Sequence, residues 1–224
     1  MRVLLLTTSY PSIAYPVSGI FIQRMLQQLP ESVRITVVTP DSDHPDSAII
    51  SGPIKTIRFR YAPRSRQILA HKPGGLPAAL QGELRNGGLI PSLLMAMSWA
   101  TIVQAFKNDL IHAQWSVCGV MAGLVGVITN KPVITTLRGT DILWAGVSPA
   151  FRQTVKSCGW LSARVVTQSY AMADQLGRWF PHFRKKIVVI PNGVGGRYPP
   201  TQTQRGQAFT IGVVGNLIPL KRNF

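Results

Sequence analysis

The chain alternates between short apolar runs and longer segments in which apolar residues recur at helical spacing. The short runs are rich in leucine and β-branched residues, and most are apolar on both faces. That pattern is typical of strands in a parallel sheet covered by helices on both sides. It predicts strands at residues 2–8, 34–40, 54–59, 109–114, 132–137, 163–168 and 186–191.

The segments between these strands predict helices. The first places five apolar residues on one helical stripe: Phe21, Ile22, Met25, Leu26 and Leu29. The predicted helices cover residues 19–29, 92–106, 117–128, 149–158 and 169–180. Strands and helices in alternation predict an α/β fold, with a doubly wound, parallel, Rossmann-like sheet.

Two segments interrupt this alternation. Residues 61–91 contain several prolines and two glycine pairs and predict a long loop with one short helix at most. Residues 198–208 are polar and begin near two prolines, as interdomain linkers do. The predicted organisation is a domain at 1–197, a linker at 198–208, and the first strand and loop of a truncated second domain at 209–224.

Composition narrows the range of partners. Hydrophobic residues make up 46% of the 224 residues and charged residues 14%, which fits a packed globular core. The formal net charge of +16 favours phosphates, nucleic acid or an acidic membrane surface. The basic residues are scattered, without the interleaved aromatics of single-strand binders, so no specific nucleic acid is expected. A general nucleic-acid binder is an alternative, and it predicts salt-sensitive binding to any DNA.

The cysteines and acidic residues give little material for metal chemistry. Cys118 and Cys158 lie in apolar helical segments without a partner at metal-ligand spacing, which predicts buried free thiols in a cytoplasmic protein. The Asp-x-Asp pair at 41–43 is interpreted as part of a solvated loop, with a divalent-metal site as the alternative. The sequence therefore predicts no metal site and no cofactor.

Candidate site residues follow the strands, because doubly wound sheets bind ligands at the carboxyl ends of their strands. Gly19 opens the first helix and would let a phosphate approach backbone amides there; the alternative is a plain turn residue. His112 and Gln114 share one face near the end of a strand and are the candidate catalytic residues, since an imidazole can hydrogen-bond a sugar hydroxyl. The dinucleotide fingerprint G-x-G-x-x-G is absent after the first strand.

Two further strand ends carry polar residues. Arg138 offers a fork of donors for a phosphate, Gly139 permits a tight turn, and Asp141 can cap a helix or hold a hydroxyl. The alternative is an ordinary strand-to-helix turn. After the last strand of the first domain, Asn192 and Gly193 form a pair that tolerates positive φ.

The order of these segments resembles a known family. The chain contains "SGIFIQRMLQQLP", "DLIHAQWSVCGVMAGLVGVITNKPVITTLRGTDI", "VVTQSYAMADQL" and "KIVVIPNGV", and ends in "GVVGNLIPLKRNF". Together they resemble the N-terminal lobe of the retaining family 4 glycosyltransferases, of GT-B architecture, followed by the start of the second lobe. The sequence departs from the family pattern at Gln114, Arg138, Gly195 and Asn216, whereas Lys221 matches the lysine that contacts the diphosphate.

The resemblance implies transfer of a hexose, with retention, from a nucleotide-diphosphate sugar to a glycan or lipid-linked acceptor. It implies no metal or cofactor, with Asn216 and Lys221 near the diphosphate and the acceptor on the N-terminal lobe. The alternative is a non-catalytic acceptor-binding lobe, because most of the donor-binding lobe is missing from the chain. We expect a cytoplasmic protein that has peripheral contact with an anionic membrane.

Overall fold

A parallel sheet forms the centre of the molecule. In the computed structural model, which describes residues 1–42, 50–71 and 84–193, the sheet order is β3-β4-β2-β1-β5-β6-β7-β8. All neighbouring strands pair in parallel except the two-residue β3, which pairs antiparallel with β4. The strands are β1 (Arg2–Leu6), β2 (Arg34–Pro40), β3 (Ile50–Ser51), β4 (Ile54–Phe59), β5 (Leu110–Gln114), β6 (Val133–Thr136), β7 (Arg164–Thr167) and β8 (Ile187–Val189).

Helices cover both faces of this sheet. We number the described α-helices α1 (Ile20–Gln27), α2 (Ile90–Ala105), α3 (Ser116–Thr129), α4 (Gly139–Val147), α5 (Pro149–Leu161) and α6 (Tyr170–Trp179). Short 3-10 helices lie at Arg64–Arg66, Leu84–Leu89 and Pro181–Lys186. The sheet is thus doubly wound, as the sequence predicts.

Successive residues of the central strand β1 are buried against helices on opposite faces of the sheet. Leu4 and Leu6 of β1 belong to the core beneath α2 and α3. Val3 and Leu5 belong to the core beneath α1. Because side chains alternate along a strand, a strand buried on both faces is apolar throughout, which explains the unbroken run "VLLL".

The chain changes direction across the sheet between β1 and β5. From β1 it winds outward to β2 and β4, and it then returns to β5 and winds the other way to β8. In such sheets the loops on either side of this reversal separate and leave a crevice at the carboxyl ends of the strands. The reversal lies between β1 and β5, so such a crevice is expected beside their carboxyl ends, and β5 carries His112 and Gln114.

Most predicted elements are confirmed, and the differences lie at α4, at the two-residue antiparallel strand β3 and in the predicted long loop. No separate helix was predicted at α4, because "GTDILWAGV" is short and only Ser148 separates it from Pro149, the first residue of α5. Its start is stabilised by a side chain rather than by a long apolar stripe, as described below. Residues 61–91 were predicted to be a long loop. In the described part of this segment, 3-10 helices lie at Arg64–Arg66 and Leu84–Leu89, and α2 begins at Ile90.

The interpretation of residues 41–43 as a solvated loop is wrong for the two residues that the structure describes. Asp41 and Ser42 are buried at the end of β2. The Asp41 amide donates to Phe59 O at 2.7 Å, and its carboxylate lies 3.7 Å from Arg64 Nη2. These contacts tie the loop to β4 and to the 3-10 helix that follows it, so burial overrides the polar composition. Asp43 lies outside the described residues.

The two cysteines are buried free thiols, as predicted. They lie where α3 packs closely on α5: a Cβ added to Gly119 would meet Cys158 Sγ at 2.6 Å. Burial raises the pKa of Cys158 to about 12 and also raises that of Cys118. Both thiols therefore stay protonated and serve as packing groups.

Candidate active site at the carboxyl edge of the sheet

A continuous chain of hydrogen bonds joins the polar residues at this edge of the sheet. Arg138 Nη2 donates to Gln114 Oε1 at 2.6 Å, and Gln114 Nε2 lies 3.3 Å from His112 Nε2. At its other end, Arg138 Nη1 donates to Asn192 Oδ1 at 3.1 Å. Residues from the ends of β5, β6 and β8 thus form one connected group, although up to 80 positions separate them in the sequence (192 − 112).

The direction of the donors fixes the tautomer of His112. An arginine can only donate, so Gln114 Oε1 must accept and the Gln114 amide nitrogen must face His112. That nitrogen is also only a donor, so His112 Nε2 must accept and its proton resides on Nδ1. Thr136 Oγ1 lies 2.8 Å from the same Nε2, and with the proton on Nδ1 the single lone pair of Nε2 is shared between this hydroxyl and the more distant Gln114 amide. The Nδ1–H group is then the donor that His112 offers to a ligand.

Electrostatics favour the neutral form of this histidine. Burial and the neighbouring positive charge of Arg138 lower the pKa of His112 to about 4. Burial also lowers the pKa of Arg138 to about 10, which leaves it charged at neutral pH. At pH 7 the site therefore contains a neutral imidazole beside a guanidinium, a poor base beside a strong anion-binding group.

Arg138 is held on several sides and has little exposure of its own. Its side chain is buried, with the residue 7% exposed, and its guanidinium carbon lies 4.4 Å from the centre of the Phe21 ring of α1. Its Nε has no hydrogen-bond partner among the described residues. The stacked ring and the two amide oxygens fix the plane of the guanidinium, so it is preorganised.

Asp141 connects the starts of two helices. Its Oδ1 accepts from the amide and the hydroxyl of Ser116, at 2.9 and 2.7 Å, and its Oδ2 accepts from the Arg138 amide at 2.8 Å. These donors belong to the first turn of α3 and to the residue before α4, groups that helices leave unpaired. Burial raises the pKa of Asp141, and the three donors oppose that rise. Asp141 was predicted either to cap a helix or to hold a ligand hydroxyl, and its described contacts are those of a helix cap.

Gly19 positions α1 over the site. It adopts φ 65°, ψ 18°, and an added Cβ would lie 2.3 Å from Ser9 O. Both the backbone conformation and the contact exclude a larger residue. Because α1 starts here, Phe21 reaches Arg138. The described contacts of Gly19 are packing contacts with the backbone of Ser9 and Tyr10.

Trp115 follows the site directly and has a backbone conformation that is rare outside glycine. It lies at φ 68°, ψ 157°, with its amide donating to Thr136 O at 3.0 Å. Its ring meets that of Phe21 edge to face, with centroids 6.2 Å apart. Such a conformation costs on the order of 1–3 kcal/mol and persists only where surrounding contacts impose it. It turns the chain from β5 into α3 and leaves the Ser116 amide facing Asp141.

The structure brings together four of the predicted residues and adds three that sequence reasoning missed. His112, Gln114, Arg138 and Asn192 are connected, whereas Gly139 and Gly193 have open space at the Cβ position. The missed residues are Phe21, Thr136 and Gln168, whose amide donates to Asn192 Oδ1. Thr136 and Gln168 stand at or just after a strand end, which was the available signal. Asn216 and Lys221 lie outside the described residues.

Comparison with known proteins identifies the family. The sequence model of Glycosyltransferase Family 4 matches residues 18–195, well over half of the chain and every connected residue of the site. The chain belongs to Glycosyltransferase Family 4. A relative in Bacillus subtilis (strain 168) is TuaC, described by its name as a teichuronic acid biosynthesis glycosyltransferase. It is 25% identical over an alignment of 170 residues that covers 70% of this chain and 42% of TuaC.

Solved structures show that this family 4 chain has the fold of one half of a GT-B glycosyltransferase. Anabaena Alr3699/HepE, in complex with UDP-glucose, aligns with 18% identity and a TM-score of 0.54, over 87% of this chain and 44% of that one. Sucrose-phosphate synthase from Thermosynechococcus elongatus aligns with 16% identity and a TM-score of 0.59, over 85% and 48%. The chain spans a little under half the length of these proteins.

Proposed function

We propose that this chain is the acceptor-side, N-terminal part of a glycosyltransferase that transfers a hexose from a nucleotide-diphosphate sugar, with retention, to a glycan or lipid-linked acceptor. Family membership supports sugar transfer. The complex of the HepE neighbour with UDP-glucose supports a nucleotide sugar as donor. The proposed reaction uses no cofactor or metal beyond this donor and takes place in the cytoplasm.

The observation that carries the proposal is the Arg138–Gln114–His112 chain at the switch point of the sheet. In transfer, the bond from the anomeric carbon to the diphosphate breaks, a bond to an acceptor oxygen forms, and the acceptor hydroxyl passes its proton to the leaving diphosphate. With a pKa of about 4, His112 is too weak a base to take that proton at neutral pH. Its proposed role is to donate from Nδ1 to a sugar hydroxyl and so orient the ring.

The proposed role of Arg138 is electrostatic. It is a guanidinium held in a fixed plane, and it places positive charge next to the imidazole, where the leaving diphosphate accumulates negative charge. α4 begins at Gly139, where an added Cβ would meet no described atom within 4 Å, so the positive end of its helix dipole lies on the same side of the sheet. Both features favour an anion without a metal ion.

The test is an activity measurement on the 224-residue chain with a panel of nucleotide-diphosphate sugars. Release of nucleoside diphosphate is followed with and without a membrane lipid extract, and the product anomer is read by NMR. We expect turnover that His112→Ala lowers at least about tenfold, a loss typical of one positioned hydrogen bond. His182→Ala, a change at an exposed histidine, is the matched control and should leave turnover unchanged.

Other outcomes distinguish the alternatives. Saturable binding of a nucleotide sugar without turnover, again weakened by His112→Ala, would favour a non-catalytic binding lobe. Neither binding nor turnover with any donor would contradict both roles. Equal losses in His112→Ala and His182→Ala would remove the assignment of the site.

A further inference from the structure

Two neighbouring helices on one side of the sheet lack the polar outer face of ordinary surface helices. Neither α2 nor α3 contains a charged residue. Their inner faces are buried in the core, through residues such as Met97 and Ala105 on α2 and Ala122 and Val125 on α3. A helix that covers only one side of a soluble domain normally has polar residues on its outer side.

The outer faces of these helices expose a continuous set of large apolar side chains. The two helices lie side by side, with Ser98 Oγ 3.5 Å from Met121 Sδ. They point the same way, because each leads into a strand of the parallel sheet. Seven side chains, between 39% and 72% exposed, form what we call the apolar ridge: Met95, Trp99, Val103, Phe106, Leu124, Val127 and Ile128. An exposed patch of this kind marks an interaction surface.

Basic residues surround one end of the apolar ridge. Lys107 directly follows Phe106, and Lys131 lies just beyond the end of α3. The neighbouring strands β1, β2 and β7 begin at the same edge of the sheet, each with an arginine: Arg2, Arg34 and Arg164. Among the described residues, the acidic ones at that edge are Glu31 and Asp109, and Asp109 pairs with Arg2 at 3.0 Å. The whole chain carries +16.

This charge selects the partner. A second copy of the chain would bring two strongly positive molecules together, whereas an anionic bilayer attracts them and accepts the apolar side chains at its interface. Trp99, 70% exposed near the middle of α2, is a residue type that favours the headgroup level. We propose that the apolar ridge docks this protein on the surface of an anionic membrane, with Lys107 and Lys131 contacting lipid headgroups.

In this proposal α2 lies along the membrane surface and does not cross the bilayer. By length and composition alone, Gly87–Ala105 could cross a bilayer, with a mean hydropathy of 1.4 over its best window. However, Leu93, Met97 and Ala105 on its inner face pack in the core beneath the sheet. Withdrawing the helix would uncover that core. The proposal rests on the proposed function in one respect: a lipid-linked acceptor would lie in the bilayer on which the protein docks.

Vesicle sedimentation tests the proposal without donor or acceptor, so its outcome is separate from that of the activity measurement. The full chain is mixed with vesicles of phosphatidylcholine alone or with equal phosphatidylglycerol, at low and high salt. We expect binding to the anionic vesicles and a loss of at least about tenfold in partitioning for the double variant Val127→Ser/Ile128→Ser. Val147→Ser is the matched control, because Val147 and Val127 are both 72% exposed.

Each outcome bears on the proposal. Reduced binding of the double variant with an unchanged control, and with unaltered circular dichroism, supports it. Binding that high salt abolishes in all variants equally would show simple adhesion of a basic protein and overturn it. Concentration-dependent self-association that the double variant loses would identify a second copy as the partner and also overturn it. Release of the membrane-bound chain only by detergent would replace docking with insertion of α2.

Discussion

At the scale of single residues, the site depends on the identity of each hydrogen-bond donor. Arg138 determines which way the Gln114 amide faces, and Gln114 determines which nitrogen of His112 is free. A histidine in place of Gln114 would not determine which nitrogen of His112 is protonated, since an imidazole can donate or accept. Gln114 thus fixes the Nδ1–H tautomer of His112.

The lowered pKa of His112 predicts a specific pH dependence of stability. The pKa is about 4 in the folded chain, below the ordinary value of 6.5, so the unfolded chain binds the extra proton first as the pH falls. The free energy of unfolding should therefore decrease between about pH 6.5 and pH 4, and the His112 contribution should be constant above and below that range.

Denaturant unfolding of His112→Gln against the parent chain measures this contribution. The variant should lose less stability than the parent between pH 7 and pH 4, because its side chain does not titrate. His182→Gln, which changes an exposed histidine, should follow the parent. An identical pH profile for His112→Gln and the parent would show that His112 is not held in its neutral form.

At the scale of elements, the starts of helices bring the site together. α1 begins at Gly19, α3 follows the strained Trp115, and α4 begins after Arg138, so each helix delivers a site residue in its first turn or just before it. Asp141 locks two of these starts to each other. A shift of one helix start would therefore move a side chain of the site, although the sheet beneath stayed in place.

Gly19→Ala tests the placement of α1. The substitution adds a left-handed backbone penalty of about 1 kcal/mol and a Cβ at 2.3 Å from Ser9 O, so we expect about 2 kcal/mol or more of lost stability. Gly52→Ala is the control, because Gly52 has φ 57° with no described atom within 4 Å of an added Cβ. It should lose only about 1 kcal/mol. Equal losses in denaturant unfolding would mean that Ser9 moves freely and α1 is not fixed there.

Hydrophobic patterning predicted these elements well and their ends less well. The strands could be predicted because burial on both faces leaves an unbroken apolar run such as "VLLL". The extent of α4 could not be predicted, because the helix is short and its cap Asp141, which the sequence did suggest, is held by Ser116 from another helix. The buried Asp41 could not either, because its partners Phe59 and Arg64 come from other elements.

At the scale of the whole molecule, the parallel sheet turns distant sequence positions into one site. Polar residues after strands are visible in a sequence, which allowed His112, Gln114, Arg138 and Asn192 to be selected. Their connection, and the contribution of Phe21 from the layer above, depend on the order of strands and on the packing of α1. The apolar ridge lies on α2 and α3, which cover the face of the sheet opposite to α1. A membrane docked there would leave the carboxyl edge of the sheet open.

Burial and the charge of Arg138 hold His112 neutral, and the chain of hydrogen bonds places its proton on Nδ1, where it is available to a sugar ligand. Nitrogen-15 NMR of the histidine side chains at pH 7 measures this directly, with His112→Gln used to assign the signals. We predict a protonated Nδ1 and an unprotonated Nε2 for His112, and a change in the Nδ1 signal when a nucleotide-diphosphate sugar is added. A protonated Nε2, or a His112 signal that no nucleotide sugar alters, would contradict this assignment of the site.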